Sequence, residues 1–122
     1  MIGGNAMADR RPWRPRVLTL EDTDAVVVEP AVAGMTHQIT SLRATNGDTD
    51  ETVLLEVLSG DTVIDAGYCG PGGGGWQDSS PTQEEWGGGL HTLPGEALSI
   101  KLDNVGTAPV KVAIRGYSRA IH

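Results

Sequence analysis

The chain has 122 residues, including 17 glycines and one cysteine, a formal charge of −7 and 39% hydrophobic residues. That length suits a single domain with one core; a lone thiol excludes an internal disulfide framework, and no spacing of Cys with His, Asp or Glu makes a recognisable zinc site. No apolar run approaches the roughly 20 residues of a membrane span and no hydrophobic secretory segment is present, so a soluble protein with no membrane contact is expected.

The charge is unevenly placed. Arg10, Arg11, Arg14 and Arg16 lie within seven residues, whereas the chain from Val17 onward holds five basic and fifteen acidic residues, a balance of −10. Residues 1–16 therefore read as an extended basic N-terminal arm and 17–122 as one acidic body. Pro12 and Pro15 fix an extended backbone around an exposed Trp13, a conformation suited to lying along another surface. The acidic body would repel phosphate, so a protein partner is expected and nucleic acid is not.

After the arm the pattern is that of strands. A first strand is expected near 16–20, and "AVVVEP" (25–30) gives another, closed by Pro30. "HQITSLRATN" (37–46) alternates apolar and polar positions with an irregularity between Ile39 and Leu42. "TVLLEVLSGDTVIDAG" (52–67) contains two apolar strands around Ser59-Gly60-Asp61, the signature of a β-hairpin with Gly at the centre of a three-residue connection. Strands near 72–77 and 88–93 follow.

"ALSIKLDN" (97–104) sets Leu98, Ile100 and Leu102 on one face, and "PVKVAIRGY" (109–117) does the same with Val110, Val112 and Ile114. With "DNVGTAP" between them as a turn, the two are expected to pair as an antiparallel hairpin. No segment carries apolar residues at helical spacing between caps. The fold class expected is all-β: an antiparallel β-sandwich of about eight strands, of jelly-roll type, with an extended N-terminal arm.

Several stretches invite a functional reading. "CGPGGGGW" (69–76) resembles a phosphate cradle, but Trp76, Gln77 and Asp78 stand where lysine, a hydroxyl residue and a helix would be needed, so a side-chain-poor strand is expected instead. "NGDTDE" (46–51) begins like a calcium loop with Asn46, Asp48 and Asp50, yet its sixth position is Glu51 and its twelfth Val57. A solvated turn is expected there, and no metal or cofactor.

His37, His91 and His122 are scattered; only folding could join His91 to Glu84, Glu85 or Glu96, and no nucleophile elbow is present. Catalysis is therefore not expected. Cys69 reads as a small buried hydrophobe. Pro94-Gly95 marks a turn with Gly at positive φ. Of the glycine-flanked tryptophans, Trp76 reads as core, while Trp86 reads either as core or as an anchor at a subunit interface. The residues expected to bind a partner are Arg10, Arg11, Trp13, Arg14, Arg16 and Trp86.

"GGGGW" (72–76), Trp86, "GEALSIKL" (95–102) and "VAIRGY" (112–117) stand in an order that resembles the small jelly-roll structural proteins of tailed bacteriophage virions, over roughly residues 25 to 118. The long acidic loop "QDSSPTQEEW" (77–86) departs from that pattern. The resemblance implies a non-enzymatic virion protein, a capsid decoration (cement) protein that stabilises the head shell, with a tail- or fibre-associated receptor- or carbohydrate-binding module as the alternative. It further implies contact with the major capsid protein or other virion subunits, homo-oligomers with a trimer favoured, and residence on the capsid surface after assembly in the host cytoplasm.

Overall fold

The computed structural model describes residues 10–48, 50–72, 75–79, 90–106 and 108–120, with residues 10 and 75–79 described at the backbone. Among them nine strands occur: β1 (Arg10–Pro12), β2 (Arg16–Leu20), β3 (Val26–Glu29), β4 (Met35–Asn46), β5 (Val53–Ser59), β6 (Thr62–Cys69), β7 (Gly75–Ser79), β8 (Leu98–Leu102) and β9 (Val110–Ala120). They form two antiparallel sheets. The first runs β1-β9-β4-β7, with β2 also paired to β9; the second runs β3-β8-β5-β6. No helix occurs among the described residues.

The core lies between the sheets, and each strand's alternation decides what it contributes. Val110, Val112 and Ile114 of β9 and Leu42 and Ala44 of β4 face Leu98, Ile100 and Leu102 of β8 and Val53, Leu55 and Val57 of β5 in one cluster. These side chains are essentially excluded from solvent. Cys69 is a free thiol within the same cluster.

Strand β4 needs a correction of phase to keep its apolar side inward. Its buried apolar residues occupy odd positions up to Ile39 and even positions from Leu42 onward. The pairing with β9 shifts register between Ile39 and Ser41, at the irregularity that the sequence pattern marks. One extra residue in a strand turns every later side chain over, so without this bulge Leu42 and Ala44 would face water.

The expected hairpin over 52–67 is present as β5 and β6, but its loop is the two residues Gly60-Asp61, because Ser59 pairs with Thr62. Gly60 has φ of 57°, a left-handed conformation that glycine adopts without penalty. At Pro94-Gly95 the Glu96 amide donates to Leu93 O at 3.2 Å and Gly95 has φ of 80°, as a turn of that sequence requires.

Two expectations are corrected. Strands 97–104 and 109–117 do not pair: β8 joins β3 and β5 in one sheet, while β9 joins β1, β2 and β4 in the other. Alternating strands with one apolar face can lie side by side or face each other across a core, and the pattern is the same in both cases. The connection itself decides. Asp103 N donates to Leu54 O at 2.9 Å and Asn104 Nδ2 to Thr52 O at 2.8 Å, which ties its start to β5. At its far end Pro109 O accepts from Gly47 N at 3.4 Å, beside β4. The segment crosses from one sheet to the other.

Over 88–93, the described residues make one isolated bridge, Gln38 to His91, rather than a strand. Ile39 N donates to Leu90 O and Thr92 N to His37 O, and then the Pro94 turn carries the chain away from the edge. The expected strand at 72–77 begins at Gly75 and ends at Ser79, with Trp76 opposite Ala44 in register. Gly73 and Gly74 lie outside the described residues.

Leu55→Ala should cost about 2–5 kcal/mol, since it deletes a fully buried side chain at the centre of the core. Urea denaturation followed by circular dichroism measures it; a loss below 1 kcal/mol would contradict this placement.

Candidate functional site

Most of the residues expected to bind a partner come together at one edge of the sandwich. Arg10–Pro12 pairs with Tyr117–Arg119 of β9, and Arg16–Leu20 pairs with Val110–Ile114 of the same strand. Between them Trp13 N donates to Gly116 O at 2.9 Å. The later part of the segment read as an arm thus lies along its own domain. Residues 1–9 lie outside the described part of the chain.

Trp13 is half-buried, and its place depends on glycine at 116. A Cβ there would meet Trp13 Cζ3 at 2.5 Å and Cη2 at 2.6 Å, and would also collide with Gln38 O. The indole Nε1 donates to Ser118 Oγ at 2.9 Å, and the ring meets His37 edge-on at a centroid distance of 6.4 Å. His37 is 1% exposed and Ser118 5%.

The imidazole is held at both nitrogens. Nε2 lies 2.7 Å from Pro30 O and Nδ1 lies 2.7 Å from Ser118 Oγ. A carbonyl oxygen only accepts, so Nε2 carries the proton, and in the neutral ring Nδ1 accepts from the Ser118 hydroxyl. Ser118 therefore donates to His37 while accepting from Trp13. A serine beside a histidine suggests a nucleophile and its base. Here the oxygen is buried with both neighbours in place, and the far ring nitrogen meets a main-chain carbonyl. The geometry locks the hydroxyl and joins the N-terminal segment, β4, β9 and the Pro30 turn.

Arg16 closes the open edge between the sheets. Its guanidinium donates to Glu29 Oε2 and to Val28 O, so β2 of one sheet is bound to β3 of the other. Arg11 and Arg14, in contrast, are exposed. They rim a cleft of about 320 Å³ whose wall includes Trp13, Glu29, Met35 and His37. Two guanidinium groups over an aromatic and thioether wall suit an anionic group on an apolar stem, such as an acidic side chain of a protein partner.

Of the expected partner residues, Arg11, Trp13, Arg14 and Arg16 share this cleft. Arg10 adjoins it through its backbone pairing with Arg119, and Trp86 lies outside the described residues. In the sequence His37 stands only as one of three scattered histidines, and Ser118 belongs to no motif. Their signal was available: both are polar residues at inward positions of alternating strands, where an apolar side chain is the rule.

The remaining candidates are occupied with holding backbone. Asn46 Nδ2 donates to Glu51 O at 2.7 Å and Cys69 O at 3.1 Å, while its Oδ1 accepts from Asp48 N at 2.9 Å. Asp48 Oδ1 accepts from Asp50 N and Glu51 N. The stretch that begins like a calcium loop is a turn built by its own side chains. Among the described residues no three His, Cys, Asp or Glu side chains are gathered as for a metal.

Glu96 accepts from Ser59 Oγ at 2.5 Å, and His91 Nδ1 donates to Thr92 O at 2.9 Å, so His91 and Glu96 have separate partners. Glu84, Glu85 and His122 lie outside the described residues.

Ser118→Ala should leave the buried Nδ1 of His37 and the Trp13 Nε1 without their partner, at a cost of about 1–3 kcal/mol. Chemical denaturation measures the loss, and a red shift of tryptophan emission should accompany it; unchanged stability would remove the clamp as a stabilising feature. Comparison with protein-family models, with curated proteins and with solved structures returned no match to this chain.

Proposed function

We propose that the chain is a jelly roll and a non-enzymatic structural protein of a tailed-phage virion, a decoration protein that binds and stabilises the head shell. The observation that carries this reading is the strand order. In chain order from β2, the sheets β2-β9-β4-β7 and β3-β8-β5-β6 exchange strands as a jelly roll does, a fold that recurs in viral capsid proteins.

The cleft gives the proposed contact its chemistry. Arg11 and Arg14 offer exposed guanidinium groups that suit carboxylates on the major capsid protein, while Trp13 and Arg16 hold the segment against the domain. A pre-ordered segment loses less conformational entropy on docking than a free arm would. Many copies on a shell, as homo-oligomers and in the trimer arrangement the resemblance implies, add weak contacts by avidity. The acidic surface keeps the oligomers soluble and apart from one another before assembly in the host cytoplasm.

Because Arg10–Leu20 builds part of a sheet, deleting the whole N-terminal segment would damage the fold as well as the contact. Arg11→Glu with Arg14→Glu changes only exposed charge. With shells lacking the protein, the double variant should keep the wild-type melting temperature but lose at least about tenfold in co-sedimentation. Undiminished binding to shells would sink the proposed contact, and absence of wild-type binding would sink the virion reading.

A further inference from the structure

The outer face of the first sheet carries a cationic patch that the proposed shell contact does not use. Outward positions of β9 hold Lys111 and Arg115, and outward positions of β4 hold Arg43, all exposed. The register places Arg115 beside Ser41, Arg43 beside Ala113 and Lys111 beside Thr45. Arg43 and Arg115 are thus diagonal cross-strand neighbours, a spacing of about 7–8 Å at the Cα positions. Ser41, Arg43, Ala113 and Arg115 line a shallow depression of about 200 Å³. Val17, 68% exposed, lies next to Ala113 on the adjoining strand.

Among the described residues, none of these three cations forms an ion pair, although the chain has 16 acidic residues. Like charges at adjacent positions of a sheet repel, so the arrangement costs stability unless an anion covers it. The densest exposed run of acid in the described part of the chain is Glu21-Asp22-Thr23-Asp24, where Asp24 N donates to Asp22 Oδ1 at 3.0 Å. This turn is anchored at both ends, Leu20 against Val110 in one sheet and Val26 against Ile100 in the other. It cannot swing across its own sheet to Arg43 or Arg115 without unpairing a strand.

We infer that a second copy of this chain docks on the face: the Glu21–Asp24 turn of one copy seats on Arg43, Lys111 and Arg115 of the next. Three carboxylates meet three cations. The contact joins two different surfaces, so it is head-to-tail, and repetition closes a ring or continues as a filament. An extended nucleic acid fits less well, because its phosphates would run past the acidic Glu21–Asp24 turn, which leaves the sheet beside Val110 at the Lys111 end of the face. This inference rests on the oligomeric part of the reading above and is independent of the shell.

The test is the mass of the full chain by sedimentation, without shells. The wild type should associate at 50 mM salt and fall to monomer at 0.5 M, where screening acts within a few ångströms. Arg43→Glu with Arg115→Glu, and separately Glu21→Lys with Asp22→Lys and Asp24→Lys, should each weaken association at least about tenfold. Mixed in equal amounts, the two variants should associate again, because each then offers the charge the other lacks; this restoration also shows that both are folded.

A wild type that is monomeric at 50 mM salt, association that ignores the reversals, or a mixture that stays monomeric would each overturn the proposal. So would a fluorescent single-stranded oligonucleotide that binds wild type at 100 mM salt and is lost with the arginine reversals while self-association is absent. Shell binding by a strictly monomeric protein would remove this interface and leave the virion reading standing. Self-association without shell binding would do the reverse.

Discussion

The ladder between β4 and β9 is the constraint on which the rest of the structure depends. It runs from Met35 opposite Ala120 to Asn46 opposite Val110, with one shift of register on the way. That shift keeps the apolar residues of β4 facing inward on both sides of it, opposite a β9 whose phase does not change. Inward positions supply the wall of the core, then Gly116 beneath Trp13 and Ser118 against His37. Outward positions supply Lys111, Arg43 and Arg115. One alternating ladder thus puts the apolar core on one side and these cations on the other.

Toward the ladder's two ends the inward face turns polar, and each polar group there has a partner. His37 spans Pro30 O and Ser118, while Asn46 spans Glu51 O and Cys69 O. Such groups cost several kilocalories per mole if buried unpaired, so they tolerate few alternative arrangements. At one end they fix the N-terminal segment; at the other they fix the turn between β4 and β5. An apolar residue at either place would bury as well but would define neither the path of the segment nor the shape of the turn.

Much of this was legible in the sequence. Alternation in "SIKL" and "VKVAI" identified buried faces, Gly60 marked the hairpin, and the broken alternation after Ile39 marked the bulge. The partner of each strand was not legible. A pattern of period two tells which side of a strand is buried but not which strand lies beside it, so the sequence neighbours 97–104 and 109–117 looked like a hairpin. Bonds from Asp103 and Asn104 to β5 decide otherwise, and they come from residues that read simply as turn formers. Likewise Trp13 looked exposed because its contacts, Gly116 and Ser118, lie about a hundred positions away in the chain.

That separation has a consequence for how the molecule is made. Strands β1 and β2 have their ladder only with β9, the last strand described. Ladders between distant segments form slowly, because the closure entropy of a long loop must be met before any pairing rewards it. During synthesis the first sheet therefore lacks β9 until every other strand described has been made. The second sheet can assemble earlier, since β3, β5, β6 and β8 all precede Pro109. Strands β1 and β2 are made before the other strands described and gain their ladder only with β9, so they stay unpaired while β3 to β8 are made.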